Sequence, residues 1–211
     1  MSIERFAKYS KSDHNRLMST VSALARVDVE KIEGVFVECG VWRGGHGMLA
    51  RYYSPERECW LYDTFTGMTE PGPYDTQRNG FHPLQKYNDK VKAGQKWMDA
   101  SLVEVQTNFK TVGLYDESMI KFIVGDVRRT LTDENNLPEK IAILRLDTDF
   151  YDSTKIEMEV LYPRLQPGGI LLVDDYGHWN GARKAVQDYL GMMSAFLKPI
   201  DYTCSWMVKE K

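Results

Sequence analysis

The 211 residues predict a single domain, residues 1–211, that is long enough to bury a substantial core. Lysine and arginine number 27 against 30 aspartates and glutamates, so the formal charge of −3 gives no electrostatic reason to expect a nucleic-acid or membrane partner. Cys39, Cys59 and Cys204 are widely spaced, which argues against a disulfide framework or a zinc site and favours a reducing cytoplasm.

Residues 1–33 are predicted to form a helical cover. Residues 1–16 are polar and lack the apolar region of a signal peptide, and no later run approaches the length of a membrane span. Leu17, Val21 and Leu24 then recur at helical spacing. A helix here would cover the edge of a sheet or form one wall of a substrate pocket.

The first predicted strand, Val35–Cys39, runs into a glycine-rich turn, Gly40–Gly47, and a helix is predicted from Met48 to Tyr53. A glycine-rich turn between strand and helix lets a ligand approach the backbone and offers it helix N–H groups. The spacing is not GxGxxG, so the dinucleotide-binding fingerprint is absent. Tight packing of the helix on the strand is the alternative reason for the glycines.

The second predicted strand, Cys59–Tyr62, ends at Asp63, which lies 23 residues after Gly40. An acidic residue at this position commonly accepts hydrogen bonds from ribose hydroxyls. The sequence therefore predicts a ribose-binding carboxylate at Asp63, with a turn-forming role as the alternative.

Residues 64–113 are predicted to contain a lid or substrate loop. Glycine and proline cluster between Gly67 and Pro83, and aromatic side chains recur along the segment. A long insertion at the strand-end edge of a sheet often orders over ligands, although a mobile surface loop has the same composition. Residues 101–111 predict a helix that Gly113 ends.

Three further predicted strands, Ile120–Val124, Ile141–Leu144 and Ile170–Val173, are each followed by acidic residues. These residues are Asp126, Asp147, Asp149, Asp174 and Asp175. A helical segment closed by Pro167–Gly169 joins the last two strands, and a right-handed crossover would bring their carboxyl ends to one edge. Carboxylates crowded there repel one another unless a cation neutralises them, and hard oxygen ligands suit Mg²⁺. Helix or turn capping is the alternative role.

The C-terminal part predicts a loop, a helix and a closing strand. The loop contains His178, and Asn180 is expected to cap a helix from Gly181 to Leu197. Alternating and aromatic residues predict a strand over Tyr202–Val208.

Three stretches together resemble the macrocin O-methyltransferase (TylF-type) family of class I S-adenosylmethionine-dependent methyltransferases. They are Phe36–Gly45, Leu61–Met68, and Leu146–Asp147 with Val173–Tyr176. The resemblance implies a Rossmann-like α/β fold with a mostly parallel, doubly wound sheet and a C-terminal antiparallel strand. It also implies a divalent metal and methyl transfer to a hydroxyl of a sugar or glycosylated small molecule. The chain is shorter than the antibiotic-tailoring members, which leaves the acceptor open.

The resemblance also implies which residues bind S-adenosylmethionine. Glu38 matches the acid near the methionine amino group, Asp63 the ribose-binding acid, and Asp126 the acid near the adenine amino group. The full implied set is Glu38, Gly40, Val41, Trp42, Arg43, Gly44, Asp63, Thr64, Asp126, Val127 and Asp147.

The implied metal ligands are Asp147, Asp174 and Asp175, with Mg²⁺ as the preferred ion. The acceptor hydroxyl must lose its proton, and Asp149, Asp147 and His178 are the three candidate bases. Two other functions stay open: a metal-independent small-molecule methyltransferase, and a nucleotide-binding Rossmann-like protein without methyl transfer. A homo-oligomer is compatible with the sequence.

Overall fold

The computed structural model of the chain describes residues 3–210 and contains a mixed sheet. Its strands are β1 (Val35–Cys39), β2 (Cys59–Asp63), β3 (Ile120–Val124), β4 (Ile141–Leu146), β5 (Leu165–Val173), β6 (Lys198–Pro199) and β7 (Ser205–Val208). Their spatial order is β3-β2-β1-β4-β5-β7-β6, with β1 to β5 parallel and β7 antiparallel to both β5 and β6. This topology confirms the predicted α/β fold with its C-terminal antiparallel strand.

The helices are α1 (Glu4–Ala7), α2 (His14–Val29), α3 (Gly45–Tyr53), α4 (Leu84–Lys92), α5 (Leu102–Thr111), α6 (Val127–Thr130), α7 (Tyr151–Val160) and α8 (Asn180–Leu190). Helix α2 begins after Asp13, whose side chain accepts a hydrogen bond from the backbone N–H of Arg16. Among residues 3–210, no helix is both long and apolar enough to cross a membrane.

The core lies on both faces of the sheet. Every residue of β4 is buried, as expected for a parallel strand covered by helices on both sides. One apolar layer joins the sheet to α2, α3 and α5, and the other joins it to α7 and α8. The order of the strands reverses between β1 and β4, which is where open α/β sheets bind ligands at their carboxyl ends.

Strand β5 begins earlier than the sequence predicts. It starts at Leu165, so Pro167–Gly169 lie within the strand rather than at the end of the preceding helix. Gly168 donates its N–H to the carbonyl of Lys209, and Gly169 accepts from the Lys209 N–H, which extends the pairing with the chain after β7. The pairing with β4 shifts register between Ile141 and Ile143 to accommodate these residues.

Helix α8 ends at Leu190, seven residues before the predicted end at Leu197. Gly191 has a positive φ of 55° and ends the helix, after which residues 191–196 form a 3₁₀ turn. Asn180 is not the cap that the sequence predicts. Its side-chain amide instead donates to Thr76 Oγ1 at 2.8 Å.

The region predicted to contain a lid, residues 64–113, includes α4 and α5 and an irregular segment before them. Helix α4 buries none of its side chains, so this part of the region has little packing against the core. In the irregular segment, Gln77 forms a β-bridge with Trp179. The closing motion of a lid stays a prediction.

The chain before β7 returns to the carboxyl end of β5. The Gly177 N–H donates to the Thr203 carbonyl at 2.6 Å. A Cβ at Gly177 would lie 1.7 Å from the Tyr202 carbonyl oxygen, so only glycine fits there. The loop after β5 is therefore anchored by residues 202–203.

Candidate active site

A cavity of about 310 Å³ opens at the carboxyl ends of β1, β2, β4 and β5. Its walls include the glycine-rich turn, the strand-end acids, the region 64–98, the loop after β5, and the N-terminal residues Ser10, Lys11 and Arg16. The N-terminal cover therefore contributes to the wall of the pocket, which is the second of the two roles considered for it.

The glycine-rich turn is fixed by the end of β4 and by Asp63. Gly40 has a φ of 87°, and a Cβ there would lie 2.0 Å from the Asp147 carbonyl oxygen. Asp63 Oδ2 accepts the backbone N–H groups of Val41 at 2.7 Å and Trp42 at 3.0 Å. Its Oδ1 accepts from the Phe65 N–H at 2.7 Å. Asp63 thus organises the turn itself and also lines the cavity.

Glu38 presents an unpaired oxygen at the cavity. Its side chain is 1% exposed, and Oε1 lies 3.1 Å from Arg145 Nη1. Oε2 is buried and has no well-aligned hydrogen-bond partner within the described part of the chain, although the Gly47 backbone N–H favours the ionised form of this carboxyl group. Burial raises the pKa of Glu38 to about 8, against the attraction of Arg145. A ligand that brings a positively charged donor would satisfy this oxygen and favour the ionised form.

Arg145 is the residue around which the acids are arranged, and the sequence analysis missed it. It is 2% exposed and faces Glu38 directly across the β1–β4 pairing. Nη1 lies 2.8 Å from Asp147 Oδ2, and Nη2 lies 2.8 Å from Asp174 Oδ2. The available signal was one arginine inside the apolar run Ile141–Leu146, because a charge in a buried strand requires partners.

The Asp174 carboxyl group forms ion pairs with two guanidinium groups. Besides Arg145, Arg16 Nη1 approaches it at 3.3 Å, and Arg16 Nε lies 3.3 Å from Asp201 Oδ2. This arrangement ties α2 and the chain before β7 to the end of β5. The sequence carried no local signal for Arg16.

The three carboxyl groups that lie together are those of Asp147, Asp149 and Asp175, each offering an oxygen within 4.8 Å of the others. The sequence grouped Asp174 with Asp147 and Asp175, whereas the structure brings Asp149 to this acid group instead. Burial raises the pKa of Asp149 to about 7, and burial together with neighbouring carboxylates raises the pKa of Asp147 and Asp175 well above the usual range. The donor set, three carboxylates that resist ionising together, fits a divalent cation.

His178 also lines the cavity. Its Nδ1 lies 3.1 Å from the Tyr202 hydroxyl. Burial and the nearby charge of Arg16 lower the pKa of His178, so the ring is neutral at pH 7 and able to accept a proton.

The remaining implied cofactor residues divide into two sets. Thr64, Asp126 and Val127 line the cavity. Asp126 caps α6 and accepts from Arg128 Nε at 3.0 Å. Burial would raise the pKa of Asp126, but the hydrogen bonds from Arg128 outweigh it and hold that pKa below the usual range.

Arg43 and Gly44 are not among the residues that line the cavity. Arg43 Nε lies 2.8 Å from Glu104 Oε1, and a Cβ at Gly44 would meet the Phe109 ring at 2.8 Å. These contacts attach the turn to α5.

A buried histidine in the cavity wall, His46, is another residue that the sequence analysis missed. Its Nε2 lies 2.8 Å from Ser12 Oγ and its Nδ1 lies 2.8 Å from Thr20 Oγ1. Burial lowers the pKa of His46 well below its usual value, so the ring stays neutral. It connects the start of α3 to the N-terminal cover.

The family model described as Macrocin-O-methyltransferase (TylF) matches residues 6–209. The chain belongs to this family. The resemblance seen in the glycine-rich turn and in the acids after β4 and β5 is thereby confirmed.

Two curated relatives are named as O-methyltransferases, and the name of the first specifies a rhamnosyl compound. The 8-demethyl-8-(2,3-dimethoxy-alpha-L-rhamnosyl)-tetracenomycin-C 4'-O-methyltransferase of Streptomyces olivaceus is 33% identical over 83% of this chain and 65% of its own length. The mycinamicin III 3''-O-methyltransferase of Micromonospora griseorubida is 34% identical over 83% of this chain and 66% of its own length. The chain thus spans slightly less than two thirds of these relatives.

Solved structures agree with this membership. The O-methyltransferase NovP superposes with a TM-score of 0.81 at 27% identity, covering 96% of this chain and 83% of NovP. The calicheamicin methyltransferase CalS11 gives a TM-score of 0.64 at 22% identity, covering 95% of this chain and 80% of CalS11, and supports the fold alone.

Proposed function

We propose that the protein transfers the methyl group of S-adenosylmethionine to a hydroxyl of a sugar or glycosylated small molecule, assisted by Mg²⁺ or another divalent cation. One observation carries the proposal: Glu38 and the acid group Asp147, Asp149 and Asp175 line the same cavity, and one Glu38 oxygen lacks a hydrogen-bond partner among the described residues. The first fits a cationic amine, and the second fits a divalent cation.

The residues on the β1 and β2 side suit the cofactor. In this proposal Glu38 would accept a hydrogen bond from the methionine ammonium, and Asp63 would accept one from a ribose hydroxyl beside Thr64. Asp126 and Val127 would border the adenine end. Bound S-adenosylmethionine supplies an activated methyl group, so the protein has mainly to orient two reactants in line.

The residues on the β4 and β5 side suit the acceptor. Asp147, Asp149 and Asp175 would hold the cation, which when bound lowers the pKa of an adjacent hydroxyl. A carboxyl group of this set or the neutral ring of His178 would take the proton. Arg145 fixes Asp147 through its hydrogen bond at 2.8 Å.

The names of the relatives support a sugar hydroxyl as the acceptor, because one names a rhamnosyl compound methylated at a 4'-O position and another names methylation at a 3''-O position. The cysteines are buried and unpaired, which is compatible with the cytoplasmic location that we propose.

The proposal is tested by methyl transfer from labelled S-adenosylmethionine to a panel of glycosylated acceptors, with EDTA and with added Mg²⁺. We expect transfer to stop in EDTA and to return with Mg²⁺. Full transfer by exhaustively chelated enzyme would favour the metal-independent alternative. In parallel titrations, binding of NAD in place of S-adenosylmethionine would favour a nucleotide-binding protein of another kind.

A further inference from the structure

The predicted lid contains a buried carboxyl group that does not line the cavity. Asp75 lies between β2 and α4 and is 1% exposed. Its Oδ2 accepts a hydrogen bond from the Gly72 N–H at 2.6 Å, and its Oδ1 accepts one from the Tyr151 N–H at 2.7 Å. A polar group is costly to bury without partners, so these two contacts account for its position.

The contact with Tyr151 completes the beginning of α7. The residue before the helix is Phe150, whose side chain offers no capping hydrogen bond. The first N–H groups of a helix need partners outside it, and a carboxylate also suits the positive end of the helix dipole. Asp75 supplies this cap from 76 residues earlier in the chain.

The beginning of α7 directly follows the turn that carries Asp149. Asp149 has a φ of 66°, in the left-handed region that is unfavourable for residues other than glycine. Such a conformation persists where surrounding contacts hold it. Fixing the Tyr151 N–H therefore restrains the backbone that places the Asp149 carboxyl beside Asp147 and Asp175.

The predicted lid also contacts the loop after β5, which carries Asp175. The Asn180 N–H donates to the Thr76 carbonyl at 2.8 Å, and the Arg78 N–H donates to the His178 carbonyl at 3.2 Å. Residues 72–78 thus contact both the loop after β4 and the loop after β5, which together carry the acid group.

We infer that Asp75 is a positioning residue that couples the lid to the acid group. By capping α7 it holds Asp149 where Asp147 and Asp175 can share a divalent cation with it. The inference rests on the proposed function of this site. Coupling between two equilibria is reciprocal. If the hydrogen bond between Asp75 and the Tyr151 N–H favours cation binding, a bound cation must therefore stabilise that hydrogen bond.

The first test is Asp75→Asn, which keeps the size of the side chain and removes one acceptor. Calorimetric titration of Mg²⁺ into protein saturated with S-adenosylhomocysteine should show affinity lowered by about tenfold or more, as when other groups that orient metal ligands are removed. The kcat should fall, while the affinity for S-adenosylhomocysteine stays unchanged. A merely structural role would lower both affinities together.

Two further variants sharpen this test. Gly181→Ala places a Cβ 1.9 Å from Asp75 Oδ1, so it should displace the carboxyl group and reproduce the loss of Mg²⁺ affinity. Asn79→Ala is the matched control, because Asn79 is an exposed lid residue whose side chain accepts from the Phe81 N–H. The control should bind Mg²⁺ like the wild type.

The second test uses the wild-type protein and does not depend on a variant folding. Adding Mg²⁺ should slow hydrogen exchange at the Tyr151 amide and at residues 72–78. Unchanged exchange there, or wild-type Mg²⁺ affinity in Asp75→Asn, would overturn the inference. Failure of the wild type to bind Mg²⁺ at all would instead overturn the metal proposal on which the inference rests, so the two failures are distinguishable.

Discussion

Arg145 Nη1 lies 3.1 Å from Glu38 Oε1, and the two buried side chains connect β4 to β1 at the floor of the cavity. The same nitrogen lies 2.8 Å from Asp147 Oδ2. One positive charge is therefore shared between the carboxyl group proposed for the cofactor and the acid group proposed for the metal. The two halves of the site are electrostatically connected through Arg145.

Glu38 should lose a proton when the cofactor binds. Its pKa of about 8 makes it largely neutral in the free protein at pH 7, and an adjacent ammonium favours the ionised form. Affinity for S-adenosylhomocysteine should therefore rise with pH, by up to about tenfold per unit, until about pH 8. Calorimetry in two buffers of different ionisation enthalpy measures the released proton. Buffer-independent heats would contradict this assignment, and Glu38→Gln should abolish the release.

Asp63→Asn should weaken the binding of S-adenosylhomocysteine by about 1.5–3 kcal/mol, because the ribose and the turn both lose a charged acceptor. The N–H groups of Val41 and Trp42 share Asp63 Oδ2 in the wild type. Asp116→Asn is the control: this exposed acid accepts local hydrogen bonds from Ser118 and does not line the cavity. Wild-type affinity for S-adenosylhomocysteine in Asp63→Asn would show that the Asp63 charge contributes to cofactor binding neither through the ribose nor through the turn.

Asp149→Asn and Asp174→Asn should both stop methyl transfer, for different reasons. Asp149→Asn should lose Mg²⁺ binding and keep its stability, because asparagine tolerates a positive φ. Asp174→Asn should lose about 3–5 kcal/mol of unfolding free energy, because Arg145 and Arg16 would lose a buried counter-charge. Urea unfolding measures the stability of each variant, and titration with Mg²⁺ measures its metal affinity. A stable Asp174→Asn that fails to bind Mg²⁺ would restore Asp174 to the metal ligands.

Ionisation of the buried Glu157 should lower the free energy of unfolding as the pH rises. It is fully buried on α7, accepts from Thr148 Oγ1 at 2.9 Å, and burial raises its pKa from 4.5 to about 8. Because the folded-state pKa is the higher one, the unfolded chain loses this proton first, and stability falls between about pH 4.5 and about pH 8.

Glu157→Gln should remove this component and raise the unfolding free energy at about pH 8 by on the order of 2 kcal/mol. Urea unfolding at several pH values tests it. The control, Glu159→Gln, changes an exposed acid of the same helix and should keep the wild-type slope. If the unfolding free energies of the wild type and Glu157→Gln changed with pH in parallel, the pKa of Glu157 would not differ between the folded and unfolded states.

Strands β3 and β4 were predictable because local composition determines them. β3 has the predicted bounds, Ile120–Val124, and β4 begins at the predicted Ile141. Apolar and β-branched residues dominate both strands, although each contains one basic residue. The end of α8 was not predictable in the same way, since apolar residues continue past Gly191 and only the backbone geometry there ends the helix.

The composition of the acid group depends on side-chain direction, which a list of strand-end acids does not contain. Asp174 comes two residues after Leu172, the register neighbour of Arg145, and its carboxyl group pairs with Arg145 and Arg16, so it is absent from the acid group. Arg145 itself depends on partners up to 107 residues away. Local sequence patterns carry no information on such contacts.

The anchoring of the loop after β5 has a consequence for synthesis on the ribosome. The parallel strands are complete at Val173, but Gly177, His178 and Arg16 take partners from residues 201–203. A nascent chain that has emerged only as far as residue 196 contains every proposed cofactor and metal ligand, yet lacks these contacts. Assembly of the site should therefore wait until residues 201–203 have emerged, after the parallel strands are already available for folding.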